Sequence, residues 1–283
     1  MSSPAQTFTA SSRSVQAQAR DAGAMARRSV QITAQLLKYT LAPALFVLTW
    51  EMLPRLGIVN PVFFPPFSRV AQAGWHLTVT GVLPRNACAS IMRAVTGLCL
   101  ATVIAVPLGM LISASRTVSD MLSPLLEAFR NTAPLALLPV ITLVLGIGEV
   151  SKVTMVVYAA FWPILLNTIS GVRGVDPVII KAGRAMGLSP ANLLLRITLP
   201  ATLPTIFTGV RLALAATFLV LIAAEMVGAR AGLGYYLNVA QANFQIPEMY
   251  AGILALSGLG LLSNGLLFWA GVRLRIVQWR NVK

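Results

Sequence analysis

Three stretches of this chain run without a charge for the width of a bilayer: Ala94–Ser115 over 22 residues, Val153–Val172 over 20 and Met249–Val272 over 24. At 1.5 Å rise per residue, about 20 helical residues cross a hydrocarbon core of about 30 Å. A soluble core helix is seldom that long and that apolar all round. The rest of the chain agrees: 57% of its 283 residues are hydrophobic, 11% are charged and the mean hydropathy is +0.77. That leaves too little polar surface to face water. The expectation is an all-α membrane protein.

Six spans are predicted, at about Leu37–Ile58, Ala87–Ser115, Val118–Leu145, Ser151–Val172, Leu203–Val227 and Pro247–Arg273. Glu51 and Arg55 interrupt the first. Pro107, Pro134, Pro139 and Pro163 fall inside others, where neighbouring helices can satisfy the freed carbonyls. The Gly and Ser residues of Ser257–Ser263 are expected to permit close helix contact. Residues 1–30 are rich in Ser, Ala, Gln and Arg and have no apolar h-region, so no signal peptide is expected. They read as a disordered cytoplasmic tail ahead of a transmembrane domain over 31–283, or as residues preceding a start at Met25.

Orientation follows from the basic residues. With the N-terminus inside, the cytoplasmic segments hold fourteen Lys or Arg residues and the opposite side about six, counting Arg93. The positive-inside rule expects that bias, so the net charge of +14 requires no nucleic acid. Cys88 and Cys99 share one predicted helix, about 16 Å apart along its axis, and cannot bridge within it. They read as small packing residues. His76 is the only histidine, and with two lone cysteines it makes no metal set.

The most informative segment is the polar loop 173–200 between the fourth and fifth spans. Asp176-Pro177 supplies an N-cap followed by proline at the first helical position, and Gly187 a C-terminal stop. Ser189-Pro190 repeats the start signal. Two short helices broken at a glycine should therefore lie at the membrane surface. The small residues Ala182, Gly183, Ala185 and Gly187 are expected to let another protein approach the backbone.

This loop resembles the EAA loop of binding-protein-dependent ABC importer permeases: Glu-Ala-Ala, three residues, Gly, nine residues, Ile-x-Leu-Pro. Here Lys181-Ala182-Gly183 is followed, through Arg184 and Met186, by Gly187, then Leu188 and finally Ile197-Thr198-Leu199-Pro200 in register. Lys181 and Gly183 stand where the family has Glu and Ala. The resemblance runs from about residue 60 to 275. Phe129–Pro139, Phe161–Thr168, Gly171–Pro177, Thr208–Leu214, Ala224–Met226 and Gly232–Tyr235 look like the subgroup serving nitrate, sulfonates and taurine. That subgroup has relatives for bicarbonate and thiamine-precursor pyrimidines.

The resemblance implies a type I ABC importer permease working by alternating access. Its partners would be a second permease copy, two ATPase subunits that bind ATP and Mg, and an external solute-binding protein. The loop would be the helix that couples to the ATPase. The preferred solute is a sulfonate such as taurine, or nitrate, with a heterocyclic vitamin precursor as alternative.

The chain itself is not expected to be an enzyme. A P-loop needs Gly-x4-Gly-Lys-Ser/Thr, and none of Lys38, Lys152, Lys181 and Lys283 follows a glycine. Energy must come from a partner or from an ion gradient, and a gradient-driven transporter is the competing class. A membrane-embedded enzyme lacks any Ser–His, paired-carboxylate or metal-ligand set. Glu51, Glu127, Arg130, Arg211 and Glu225 are the candidate intramembrane charges. Glu127 and Arg130, three apart, either pair locally or anchor the cytoplasmic end of the third helix. Arg130, with Asn131 and Thr132, is a candidate for positive potential along the path. Glu225 is expected to fix a bend at the glycines of 228–236, with Arg230 as partner. The resemblance implies that this stretch, with Gly232 and Gly234, lies near the external gate.

Overall fold

A computed structural model describes residues 41–273. The expected N-terminal tail, most of the first span's start and the basic C-terminal residues lie outside them. Two compact units divide the chain at Arg69 and Val70. In the first, helix α1 runs through residues 41–55. Trp50 donates its indole N–H to the Pro65 carbonyl at 3.1 Å and meets Phe46, Phe64 and Phe67 within 6.0 Å. Glu51 is not left bare: it pairs with Arg55 and accepts from the Ser68 N–H and hydroxyl at 2.9 Å each.

The helices that follow are α2 (Phe67–Val79), α3 (Val82–Ala114), α4 (Arg116–Asn131), a 3-10 turn (Pro134–Leu137), α5 (Leu138–Leu145) and α6 (Glu149–Arg173). Then come α7 (Pro177–Ala185), α8 (Pro190–Leu193), a π-turn (Leu194–Thr198), α9 (Leu199–Met226), α10 (Leu233–Ala242) and α11 (Ile246–Arg273). Every regular element among the described residues is helical. Four are long and apolar enough to cross a bilayer: α3, α6, the run Pro190–Met226 and α11. The expected third span is broken, because α4 and the segment Pro134–Leu145 meet at 80°, and counting the pair once gives five.

Helix α6 is the centre of the second unit, flanked by α3 and α9. Lipid offers helices no hydrophobic drive to associate, so contact rests on close packing at small residues. A Cβ at Gly97 would stand 2.7 Å from Val156 Cβ, and one at Gly109 would stand 2.9 Å from Thr168 Cβ. One at Gly209 would meet Asn167 Cβ at 2.7 Å and the Pro163 carbonyl at 3.0 Å. Ala101, Ala105, Ile164, Leu165 and Ala213 close the core between these helices. Helix α11 is loosely held, with Ala251, Gly252, Leu259 and Gly271 its buried residues. Within Ser257–Ser263 it is Leu259 that packs, against Leu214, Phe218 and Leu221, while open space surrounds Gly258 and Gly260. Gly252 against Leu237 and Tyr236, and Gly271 against Phe207, make the close approaches instead. Cys88 and Cys99 both lie in α3, are free and face outward.

Candidate functional site

Three places along the bundle carry polar chemistry. The first is the segment between α6 and α9. The Asp176 carboxylate accepts the Val178 N–H at 2.8 Å and caps α7, and Ser189 caps α8 from the Asn192 N–H at 3.3 Å. Gly187 turns between them at φ +78°, a left-handed conformation that suits glycine. Lys181, Ala182, Arg184, Met186 and Gly187 face outward. Gly183 does not: it is buried, and a Cβ there would lie 2.7 Å from Ile197 Cδ1 and 2.8 Å from Leu193 Cδ1. Its small size lets α7 close on the π-turn rather than admitting another protein. Leu188, Ile197 and Leu199 are half-buried on the same inner side, and Pro200 is exposed in the first turn of α9.

Sequence reasoning missed the apolar outer edge of α7, where Val178 (69%), Ile179 (50%) and Met186 (73%) stand uncovered. The signal was available, since a nine-residue helix with apolar residues all round cannot bury them all on one inner face. Arg173 fastens the segment to α4, donating to Ser119 Oγ at 2.5 Å and Asp120 Oδ1 at 3.1 Å. A cavity of about 990 Å³ opens here, lined among others by Asp120, Arg173, Lys181, Arg184 and Thr198.

The second place is the break after α4. The N–H and the hydroxyl of Thr132 return to the carbonyls of Phe129 and Ala128, each at 3.1 Å, and Pro134 then opens the 3-10 turn. Phe129 stacks on Trp162 at 5.7 Å, and the Tyr158 hydroxyl donates to the Phe129 carbonyl at 3.2 Å. Trp162 is midway along α6, so the break lies at mid-depth. Arg130 and Asn131 are therefore deep in the bundle's length rather than at the end of a straight span. Of the two readings of Glu127 and Arg130, the local pair is not formed, and both side chains are exposed within the single chain. Irregular backbone at this depth is tolerated only where it is buried in protein or lines water. The buried Trp162 indole N–H has no acceptor among the described residues.

The third place is the far end, where α3 and α6 begin and α9 ends. Glu225 is fully buried. Its Oε1 accepts from Arg93 Nη1 at 2.6 Å and its Oε2 from the Gly234 N–H at 2.9 Å, while Ser90 Oγ reaches both oxygens. Arg93 also holds Glu149 through two bonds at 2.5 and 2.8 Å and donates to the Ala231 carbonyl at 2.7 Å. Ser90 Oγ and Asn86 Oδ1 accept the N–H groups of Leu233 and Gly232 at 2.9 Å each. Glu225 thus accepts from the turn at Gly234 and from Arg93, and its cationic partner is Arg93 and not Arg230. The glycines are dictated by this carboxylate: Gly232 sits at φ +125°, and a Cβ on Gly234 would stand 2.8 Å from Glu225 Cβ. Burial and nearby Glu248 push the Tyr236 phenol up to about 12. Asn86, Ser90 and Glu149 were not foreseen, although Arg93 at the edge of the longest α3 apolar block was a signal that a buried acid must meet it.

Residues 101–276 match the family model described as binding-protein-dependent transport system inner membrane component. The chain belongs to that family. It is the membrane-spanning permease subunit of an ABC importer, multi-pass and of the inner membrane. Over 244 residues it is 32% identical to the taurine transport system permease protein of Escherichia coli K12, covering 84% of this chain and 88% of that one. It is 31% identical to the bicarbonate transport system permease protein of Synechococcus elongatus over 64% of this chain and 66% of the relative. An inward-facing structure of the MetNI methionine ABC transporter superposes with a TM-score of 0.60, covering 71% of this chain and 99% of that one. At 19% identity that likeness concerns the fold alone.

Proposed function

We propose that this permease imports a small oxyanion, a sulfonate such as taurine or else nitrate, by alternating access driven by a separate ATPase. The observation carrying this reading is the glycine-broken pair α7–α8, with Val178, Ile179 and Met186 uncovered beside Lys181 and Arg184. An apolar edge rimmed by cations on a permease loop suits a groove in a partner protein. Two ATPase subunits, each holding ATP and Mg, would take the loops of two permease copies. An external binding protein would deliver the solute at the opposite end, by the Glu225–Arg93 cluster. The N- and C-termini are assigned to the cytoplasm, on the α7–α8 side.

In this reading the Glu225–Arg93–Glu149 cluster keeps α3, α6, α9 and the 228–234 turn together as one rigid block. Movement of α7 with the ATPase then tilts that block, and the broken α4–α5 pair supplies the gate. Arg130, Asn131 and Thr132 line the route at the break. Rigid-body motion of two permease copies needs no covalent chemistry from this chain. The sulfonate and taurine preference is supported by the relatives' names and by arginines at mid-depth. The test is uptake in a strain lacking the gene, with labelled taurine, alkanesulfonates, nitrate and bicarbonate. Loss of a sulfonate's or nitrate's uptake is expected. If no oxyanion is lost, the solute class is wrong.

A further inference from the structure

Arg211 is a charge at the middle of a span, and among the described residues no carboxylate meets it. It stands 12 residues into the 28 of α9, about 18 Å from the helix start. Its Nε donates to Asn264 Oδ1 at 3.0 Å, and its guanidinium lies 5.6 Å from the Phe268 ring centre. Among the described residues no acceptor meets Nη1 or Nη2. Asn264 and Phe268 therefore hold the plane of the guanidinium on α11 and leave its outer edge available.

The faces of α9 show where that edge points. Gly209 abuts Pro163 and Asn167 of α6, and Ala213 joins the same core. Val220 and Ala224 pack beneath Leu138 and Ile141 of α5. Leu214, Phe218 and Leu221 meet Ala94 of α3 and Leu259 of α11. At 100° per residue, what remains is one stripe holding Thr208, Arg211, Leu212, Ala215 and Leu219, all exposed in the single chain. Helix α5 packs on the Val220–Ala224 side of α9, and α11 flanks the stripe on the other through Asn264 and Phe268. A guanidinium with free donors at mid-depth is costly in lipid and marks a water-filled or ligand-filled route.

We propose that Arg211 is the anion-selecting residue of the route: its free Nη1 and Nη2 edge contacts the oxyanion at mid-depth, with Asn264 and Phe268 as its positioning residues. The proposal rests on the importer reading for its solute class, and its test does not require transport. Thr208 is one turn away on the same stripe and can report the local potential as Thr208→Cys, with Cys88→Ala and Cys99→Ala removing background thiols. Modification rates are measured with sulfonatoethyl methanethiosulfonate, itself a sulfonate anion, and with its trimethylammonium counterpart. A unit positive charge one helical turn away should raise the anion-to-cation rate ratio on the order of tenfold relative to the same protein carrying Arg211→Gln.

Arg211→Lys keeps the charge and should retain most of the ratio. The Gln variant should also lower taurine kcat/KM at unchanged permease level and ATPase co-purification. A ratio unchanged in Arg211→Gln overturns the proposal. So does a Thr208→Cys thiol that neither aqueous reagent reaches, or a Gln variant that no longer forms the permease dimer. Loss of ATP dependence in wild-type uptake would overturn the importer reading instead, and the rate ratio would still decide the role of Arg211.

Discussion

Replacing Glu225 with glutamine removes one charge from the buried cluster while keeping the side chain's shape. The carboxylate serves Arg93 with one oxygen and the Gly234 N–H with the other, at 2.6 and 2.9 Å. A glutamine has a single carbonyl oxygen, so in either amide rotamer its NH2 faces Arg93 or the Gly234 N–H. One buried donor is then unmet, at a cost of about 1–3 kcal/mol. Removing one partner of a buried ion pair costs about 3–5 kcal/mol when the other is left uncompensated. Here Arg93 keeps Glu149, which binds it twice but is 63% uncovered. The expected loss is therefore about 3 kcal/mol, on the order of a hundredfold in the folding equilibrium. Reversible unfolding in nanodiscs measures it, and Arg93→Gln completes a double-mutant cycle. The pair should be non-additive by more than about 1 kcal/mol, because the second change removes the cation that the first left unpaired. Losses that add within about 0.5 kcal/mol would refute the clamp.

Gly234→Ala should destabilise the same end by about 1–3 kcal/mol, since its Cβ presses on Glu225 Cβ and the Ile222 carbonyl. Unchanged thermal stability would contradict that packing. Gly187→Ala and Gly187→Trp share the strain of a left-handed residue, about 1–2 kcal/mol. The alanine variant should still co-purify with the ATPase, and the tryptophan variant should insert but lose it; normal co-purification of both would count against docking at this turn. Arg130→Gln should lower oxyanion uptake about tenfold at normal expression, the value of one charge contact at partial exposure. Uptake equal to wild type would remove Arg130 from the route.

The spans were legible because hydrocarbon imposes a length and a polarity that local sequence must satisfy, and Val153–Val172 and Met249–Val272 lie inside α6 and α11. The loop was legible for another reason: Asp176-Pro177, Gly187 and Ser189-Pro190 are caps and a left-handed turn, set by neighbouring residues. What could not be read depends on contacts far apart in sequence. Arg93 meets Glu225 across 132 positions and Glu149 across 56, and nothing local to Glu225 prefers Arg93 over Arg230. Gly183 looked like an outward docking residue because its reason, the side chains of Leu193 and Ile197, arrives only when α7 folds back. The 80° break was concealed by the uninterrupted apolarity of Pro134–Leu145, which satisfies a hydropathy criterion whether or not the axis is straight.

The proposed mechanism requires that ATP, spent by a partner at α7–α8, drives uptake through this chain. Its most direct test measures gene-dependent uptake of the solute under two separate treatments: ATP depleted with the proton gradient maintained, and the gradient collapsed with ATP held constant. Uptake should stop in the first and persist in the second. Uptake that survives without ATP and vanishes with the gradient would contradict that mechanism and make the chain a secondary transporter.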